Sequence, residues 1–235
     1  MKLLVLAGGY GTRLKTAVAG VPKALAPIGN VPFLKLQIDN WLKQGLCEFT
    51  FLLYHQADQV IDFLKEQKAR VLKNCCVDWV VEPAPMNTGG AVANAVRELC
   101  LDNDFLLTNA DTWLSGGMLE IMQSASPAIA AIELPNVSRY GQVHFDSNYL
   151  VTSFAEKNPK PARGWINAGL SKLPCSLFEK WNGQPFSLEV DLFSSLANHR
   201  RLKIVPLNTD FIDIGVPDDF YRFCDWINTG RRLSL

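Results

Sequence analysis

The sequence predicts an α/β fold, a Rossmann-like and mostly parallel sheet flanked by helices and extended by antiparallel strands. Three observations predict it. Short apolar runs, which suit strands buried on both faces, alternate through the first half of the chain with stretches whose apolar residues recur at helical spacing. Glycine-bearing turns punctuate that alternation. After residue 110 strand-like runs predominate, as antiparallel additions to such a sheet would require.

The elements follow in order. Leu3 to Ala7 is a continuous apolar run that ends in glycines, so it reads as a buried strand. Phe33, Leu34, Ile38, Trp41 and Leu42 form a helical stripe that stops at Gly45. A strand over Glu48 to Tyr54 precedes a helix marked by Val60, Ile61 and Leu64, and Val77 to Val81 is the next strand. Ala91, Val92, Ala95, Val96 and Leu99 are the apolar face of another helix, followed by a strand over Phe105 to Thr108. Further strands are expected at Ala128 to Glu133, Gln142 to Phe145, Leu150 to Ala155 and Trp165 to Lys172. Ser187 to Asn198 reads as a helix with a serine at its start, and Pro217 to Ile227 as a final helix opened by proline and two aspartates.

With 235 residues the chain is near the upper size of one hydrophobic core, so a single domain over 1–235 is expected, with room for a small lobe. No hexapeptide repeat follows the α/β region, which argues against a C-terminal β-helix domain. A 48% hydrophobic and 20% charged composition is that of an ordinary folded protein and excludes disorder or collagen-like repeats. Lys plus Arg and Asp plus Glu are 23 each, so there is no net field to draw the chain onto nucleic acid or an anionic membrane. Any bound phosphate must be gripped locally.

The six cysteines form no CxxC pair, which predicts reduced and mostly buried thiols rather than a zinc knuckle or disulfide framework. The N-terminal MKLLVLAGG is too short in apolar residues for a signal sequence, and no run approaches the length of about 18 residues that spans a bilayer. A cytoplasmic location is the expectation. His55, His144 and His199 match no metal motif.

The sharpest motif is Ala7-Gly8-Gly9-Tyr10-Gly11-Thr12-Arg13-Leu14, directly after the first strand and followed by Val21-Pro22-Lys23. Glycines permit a sharp turn whose N–H groups face an anion, and Arg13 and Lys23 add mobile positive charge. Taken alone, the glycines also suit a tight strand-to-loop turn. A dinucleotide fingerprint fails at Leu14, where GxGxxG needs its last glycine, and the Walker GK[ST] is absent. A second segment runs from Glu82 to Ala91 as EPAPMNTGGA, where Thr88 can cap the following helix and Gly89 with Gly90 lets a flat ligand approach the backbone. Two acids stand out. Asp111 follows a strand that ends in Asn109-Ala110, where open α/β sheets place ligands, and Asp213 lies among bulky apolar residues in Phe211-Ile212-Asp213-Ile214-Gly215. Each alone could be a turn residue or cap; together they could share one Mg²⁺.

GGYGTRL followed by PK closely resembles the signature of the sugar-1-phosphate nucleotidyltransferases, and later segments match that family in order along nearly the whole chain. The resemblance implies the nucleotide-diphospho-sugar transferase fold. It also implies that Leu6, Ala7, Gly8, Gly9, Gly11, Thr12, Arg13, Lys23, Glu82, Thr88, Gly89 and Asn109 bind a nucleoside triphosphate, with Glu82 and the glycine backbone addressing its base. Glu82 only accepts hydrogen bonds when ionised, which suits the adjacent N–H donors of guanine. Asp111 and Asp213 become the Mg²⁺ ligands, and Arg13, Lys23 and Asp111 the catalytic groups. From Arg139-Tyr140-Gly141, Glu156-Lys157, Ile166-Asn167-Ala168-Gly169 and Ser187-Leu188-Glu189, the resemblance carries sugar-phosphate binding to Gly141, Glu156, Lys157, Asn167, Gly169 and Glu189.

Within the family, the later motifs resemble the D-glycero-D-manno-heptose 1-phosphate guanylyltransferases most, which implies GTP and a heptose 1-phosphate as substrates. Mannose-1-phosphate guanylyltransferases and N-acetylmuramate-1-phosphate uridylyltransferases are the neighbouring readings. A non-catalytic nucleotide or sugar-phosphate sensor is the reading from another class, which retention of Arg13, Lys23, Asp111 and Asp213 disfavours. Neither nucleic acid nor membrane is expected as a partner, and a homo-oligomer is left open.

Overall fold

The computed structural model describes residues 1–14, 16–18 and 20–230. In chain order they form β1 (Leu3–Leu6), β2 (Pro27–Ile28), β3 (Val31–Pro32), α1 (Phe33–Lys43), β4 (Glu48–Leu53), α2 (Ala57–Lys68), β5 (Cys76–Val81), α3 (Asn87–Glu98), β6 (Phe105–Asn109) and β7 (Thr112–Leu114). The second half adds α4 (Met118–Gln123), β8 (Ala128–Leu134), β9 (Gln142–Phe145), β10 (Val151–Ala155), β11 (Gly164–Leu173), α5 (Ser194–Asn198), β12 (Lys203–Leu207), β13 (Phe211–Asp213) and α6 (Pro217–Thr229). This is the mixed, mostly parallel architecture with flanking helices that the periodicities predict. The chain divides into two compact units, the first made of 1–85, 108–115 and the described part of 210–234, the second of 86–107 and 116–209.

In the first unit β1 pairs in parallel with β4, and β4 with β5. Leu3, Leu4, Val5, Phe49 and Phe51 are fully buried, which is why these strands read as continuous apolar runs rather than alternations. The carboxyl end of β6 lies on the other side of β1, where the Ala110 N–H donates to the Leu6 carbonyl at 2.9 Å. The chain thus leaves β1 in one direction and returns on its opposite flank, and such a switch opens a crevice at the strand ends. The glycine loop follows β1 and Asp111 follows β6, so topology sends both to that crevice.

A separate core holds the two acids in place. Phe33 from α1, Trp113 from β7 and Phe220 and Phe223 from α6 pack with Leu14, Ile28, Ile212 and Ile214. Phe33 and Phe223 meet edge to face with centroids 5.0 Å apart. Full burial of each such side chain contributes about 1.5–3 kcal/mol, so the cluster anchors the antiparallel pair of β7 and β13 firmly.

The second unit is built on antiparallel pairing, with β9 between β10 and β11 and with β8 against β11, while β12 joins β8 in parallel. The β11–β8 register shifts between Asn167 and Ser171, and Gly169 within that bulge has a φ of +72°. A bulge bends the strand and re-aims its side chains, and the Asn167 Oδ1 accepts the Gly169 N–H at 3.0 Å to hold it.

Two expectations are corrected. The stretch read as one helix from Ser187 starts there, with the Ser187 Oγ accepting the Val190 N–H at 3.2 Å, but Leu188–Phe193 is π-helical and only Ser194–Asn198 is α-helical. Such a wide turn often marks a functional segment. The thiols are not mostly buried: Cys175 is, whereas Cys47, Cys76 and Cys100 are exposed and Cys75 and Cys224 half-buried. The exposed three lie at strand entrances and just beyond a helix end, outside the apolar stripes. Among the described residues no helix is long and apolar enough to cross a membrane.

Candidate active site

The glycine loop is shaped by close approach at one position and by handedness at another. A Cβ on Gly8 would lie 3.0 Å from the Glu82 Oε1 and 3.1 Å from the Tyr54 backbone nitrogen, so only glycine lets these three converge. Gly11 has a φ of +60°, in the left-handed region. Gly9 meets nothing within 4 Å, which leaves its face open for a ligand. A cavity of about 350 Å³ opens against this loop, lined by Tyr10, Gly11, Leu14, Lys23, His55 and Gln56. Thr12 and Arg13 are exposed beside it, and Leu6, Ala7 and Asn109 are half-buried.

Three residues far apart in sequence meet in the same unit. The Lys23 ammonium donates to the Asp111 Oδ2 and lies 3.7 Å from the Asp213 Oδ1. Asp111 is held by the turn between β6 and β7, with the Thr112 hydroxyl donating to its Oδ1 at 3.3 Å and the Ile214 N–H donating to its carbonyl at 2.9 Å. Asp213 ends β13, where the Gly215 N–H donates to its Oδ1 at 2.7 Å. Burial, and then the neighbouring Asp111 charge, push the Asp213 carboxyl above the usual range, while Lys23, the Gly215 N–H and Arg13 pull it back. Two carboxylates therefore share more negative charge than one lysine offsets.

That donor set suits a hard divalent cation. Among the described residues no three His, Cys, Asp or Glu side chains gather as a metal cage. Two carboxylates with remaining positions for water and phosphate is nevertheless how Mg²⁺ is commonly held. Asp111 and Asp213 fit it, and would hold it.

In the second unit, the expected roles at the start of α3 need correction. Thr88 does not cap α3, whose N-cap is Met86 and which has no side-chain cap. Its hydroxyl instead donates to the Glu189 Oε2 at 3.0 Å and accepts the Leu188 N–H at 2.9 Å. Gly89 and Gly90 are also not open to a flat ligand. Their N–H groups both point at the Phe186 carbonyl, at 2.9 and 3.3 Å, and a Cβ on Gly89 would fall 2.2 Å from the Phe186 ring. A carbonyl from a distant segment thus satisfies the helix's first donors, which otherwise need a cap.

The remaining sugar-phosphate candidates lie in this unit. Asn167 and Gly169 are joined in the β11 bulge, and Glu189 is exposed in the π-turn. Glu156 and Lys157 are exposed just beyond β10. Gly141 precedes β9, and a Cβ there would sit 3.2 Å from the Ala155 carbonyl oxygen. Two further residues belong with the candidates. Gly215 was readable, since Asp-x-Gly is a turn signature, but Phe186 carried no local signal.

The nucleotidyl transferase family model matches residues 2–227. The chain belongs to the nucleotidyl transferase family. This nucleotidyltransferase is 32% identical to the D-glycero-alpha-D-manno-heptose 1-phosphate guanylyltransferase of Campylobacter jejuni, over 95% of this chain and 98% of the relative. It is 29% identical to the mannose-1-phosphate guanyltransferase of Yarrowia lipolytica over 94% of its own length, but spans 62% of that relative. Among solved structures, HddC from Yersinia pseudotuberculosis superposes with a TM-score of 0.83 at 31% identity, covering 96% of this chain and 99% of the other. The HddC complex with GMP-PN superposes with a TM-score of 0.81 at 29% identity, covering 96% and 99%. The nucleotidyltransferase's glycine loop and its Lys23–Asp111–Asp213 cluster all lie within the matched residues.

Proposed function

We propose that this nucleotidyltransferase is a sugar-1-phosphate guanylyltransferase that transfers GMP from GTP to D-glycero-α-D-manno-heptose 1-phosphate, releasing pyrophosphate. The observation that carries the reaction class is the convergence of Lys23 with Asp111 and Asp213 in the unit that bears the glycine loop. The heptose relative, matched over nearly its whole length, supports that choice of sugar. Glu82, packed against Gly8, supports guanine, because a carboxylate can accept two neighbouring N–H donors.

An oxygen of the sugar 1-phosphate attacks the α-phosphorus of GTP, and the bond from that phosphorus to the bridging oxygen of the β-phosphate breaks. The electron pair leaves with pyrophosphate. The nucleophile is already an anion, so no side chain need remove a proton. Catalysis then consists of holding two anions in line and offsetting charge as it moves. Loop N–H groups and Arg13 bind the departing phosphates, and Lys23 the α-phosphate region. Lys157 takes the sugar phosphate, with Asn167 and Glu189 on the hydroxyls and Gly141 and Gly169 giving the sugar room. Asp111 and Asp213 would hold Mg²⁺, which would supply further positive charge to offset that of the reacting phosphates.

A GDP-heptose product would serve bacterial surface polysaccharide synthesis, and the cytoplasm, where GTP is made, would be the site of the reaction. The second reading is mannose 1-phosphate as acceptor, favoured by the guanylyltransferase relatives named for mannose. The test is pyrophosphate release with Mg²⁺ for GTP, CTP, UTP, dTTP and ATP, each against heptose, mannose, glucose and N-acetylmuramate 1-phosphates. Release with GTP and the heptose phosphate above all other pairs is expected. A different preferred pair would replace the substrate assignment, and no release from folded, nucleotide-binding protein would overturn the reaction.

A further inference from the structure

We infer that Thr88 is a positioning residue for sugar recognition, acting through Glu189, and that its hydroxyl donates no hydrogen bond to the nucleobase. The inference rests on the assignment of Glu189 to the sugar hydroxyls. A hydroxyl has one proton to give. The Thr88 Oγ1 accepts the Leu188 N–H at 2.9 Å and directs its own proton to the Glu189 Oε2 at 3.0 Å. No donor is left for a base.

The carboxylate end is equally specific. The Glu189 Oε2 accepts a second hydroxyl, Ser187 Oγ, at 3.1 Å, and among the described residues these two bonds are all that the carboxylate makes. Both bonds fall on Oε2, so Oε1 is the oxygen that the inference gives to a sugar hydroxyl. An exposed glutamate otherwise samples many rotamers, and fixing it costs side-chain entropy. Two hydroxyls on one oxygen meet that cost before substrate arrives, which is preorganisation.

The surrounding backbone makes the contact deliberate rather than incidental. The Phe186 N–H donates to the Met86 carbonyl at 3.2 Å while the Phe186 carbonyl accepts the Gly89 N–H at 2.9 Å. The Ser187 N–H donates to the Asp191 Oδ2 at 2.7 Å, and the Ser194 hydroxyl to the Glu189 carbonyl at 3.0 Å. The start of α3 and the π-turn are thereby stitched in register, with Thr88 and Glu189 facing each other at the seam.

The experiment measures KM for GTP and for the sugar 1-phosphate that supports turnover, in Thr88→Val, Thr88→Ser, Glu189→Ala and the Thr88→Val/Glu189→Ala double variant. Thr88→Val is expected to raise KM for the sugar phosphate about tenfold, with KM for GTP within about twofold of wild type. Thr88→Ser keeps the hydroxyl and should recover most of that loss. In the Glu189→Ala background, which removes the acceptor, Thr88→Val should add nothing, because the two act as one unit. Ser187→Ala, which removes the other hydroxyl on Oε2, raises the same KM and serves if Thr88→Val does not fold. A rise in KM for GTP, additive effects, or a serine no better than valine would overturn the inference while leaving Glu189 in its role. If Glu189→Ala leaves the sugar-phosphate KM unchanged, the assignment of Glu189 fails first and takes the inference with it.

Discussion

Gly215 and Lys23 share a space that stays open because residue 215 has no side chain: a Cβ there would lie 2.9 Å from the Lys23 ammonium and 2.7 Å from the Asp213 Oδ1. Gly215 also donates its N–H to that same oxygen. Gly215→Ala must therefore push the lysine or the acid aside. The lysine can swing, but the acid is held by the backbone it would clash with. Misplacement of reacting groups by about 1 Å can cost on the order of a hundredfold in rate. The expected result is a kcat at least about tenfold lower in the pyrophosphate-release assay, with a thermal midpoint close to wild type.

Asp213→Asn separates stability from activity. The Asp213 carboxyl sits above its usual range because burial and Asp111 disfavour its charge. Its folded form therefore binds a proton more readily than the unfolded chain does, and stability falls as pH rises through the raised value. Asparagine keeps the acceptor for the Gly215 N–H but carries no charge. The variant should melt at or above the wild-type temperature near pH 7.5. That difference should vanish as pH falls below the ordinary aspartate value of about 3.9, where wild type is neutral too. Turnover should drop at least about a hundredfold at all Mg²⁺ concentrations, read by pyrophosphate release alongside the melts.

Glu82 is the residue to change for the base. Its Oε1 stands 3.0 Å from where a Gly8 Cβ would be, so the carboxylate and the loop backbone form one surface. Glu82→Gln replaces an acceptor oxygen by an amide donor, which leaves a guanine N–H facing another N–H. An unmatched polar pair of this kind costs about 1–3 kcal/mol. KM for GTP should rise about tenfold or more, with KM for the sugar phosphate little changed. An unchanged KM for GTP would remove Glu82 from base recognition.

Cysteine labelling gives a chemical reading of the fold. The Cys175 thiol is pushed up to about 11, by burial first and then by the charges of Asp102, Asp104 and Glu179. It also donates to the Asn103 carbonyl oxygen at 2.8 Å. Iodoacetamide at pH 8 should alkylate Cys47, Cys76 and Cys100 in the native protein and spare Cys175 until the chain is unfolded, as read by mass spectrometry. The raised value also means that stability declines as pH climbs from the ordinary thiol range toward 11, because the unfolded chain ionises first.

Much of this protein is determined by local sequence. The apolar run of β1, the stripe on α1 and the stop at Gly45 appear within a residue or two of where periodicity and turn chemistry place them. A regular element writes its period into neighbouring residues, and that period is visible without knowing what lies opposite. The glycine loop and the two acids are legible for a related reason, since each needs particular residue types side by side. Elements too short to show a period, such as β7 and β13, were not legible, although they are the strands that carry Thr112 and Asp213. Tertiary structure alone decided that Lys23 would bridge acids at 111 and 213, that Phe186 would close over Gly89, and that the Thr88 hydroxyl would donate to Glu189 rather than cap its own helix. Hydrogen bonds and contacts across a hundred residues depend on which segments the sheet brings together, and no local pattern of side chains records that.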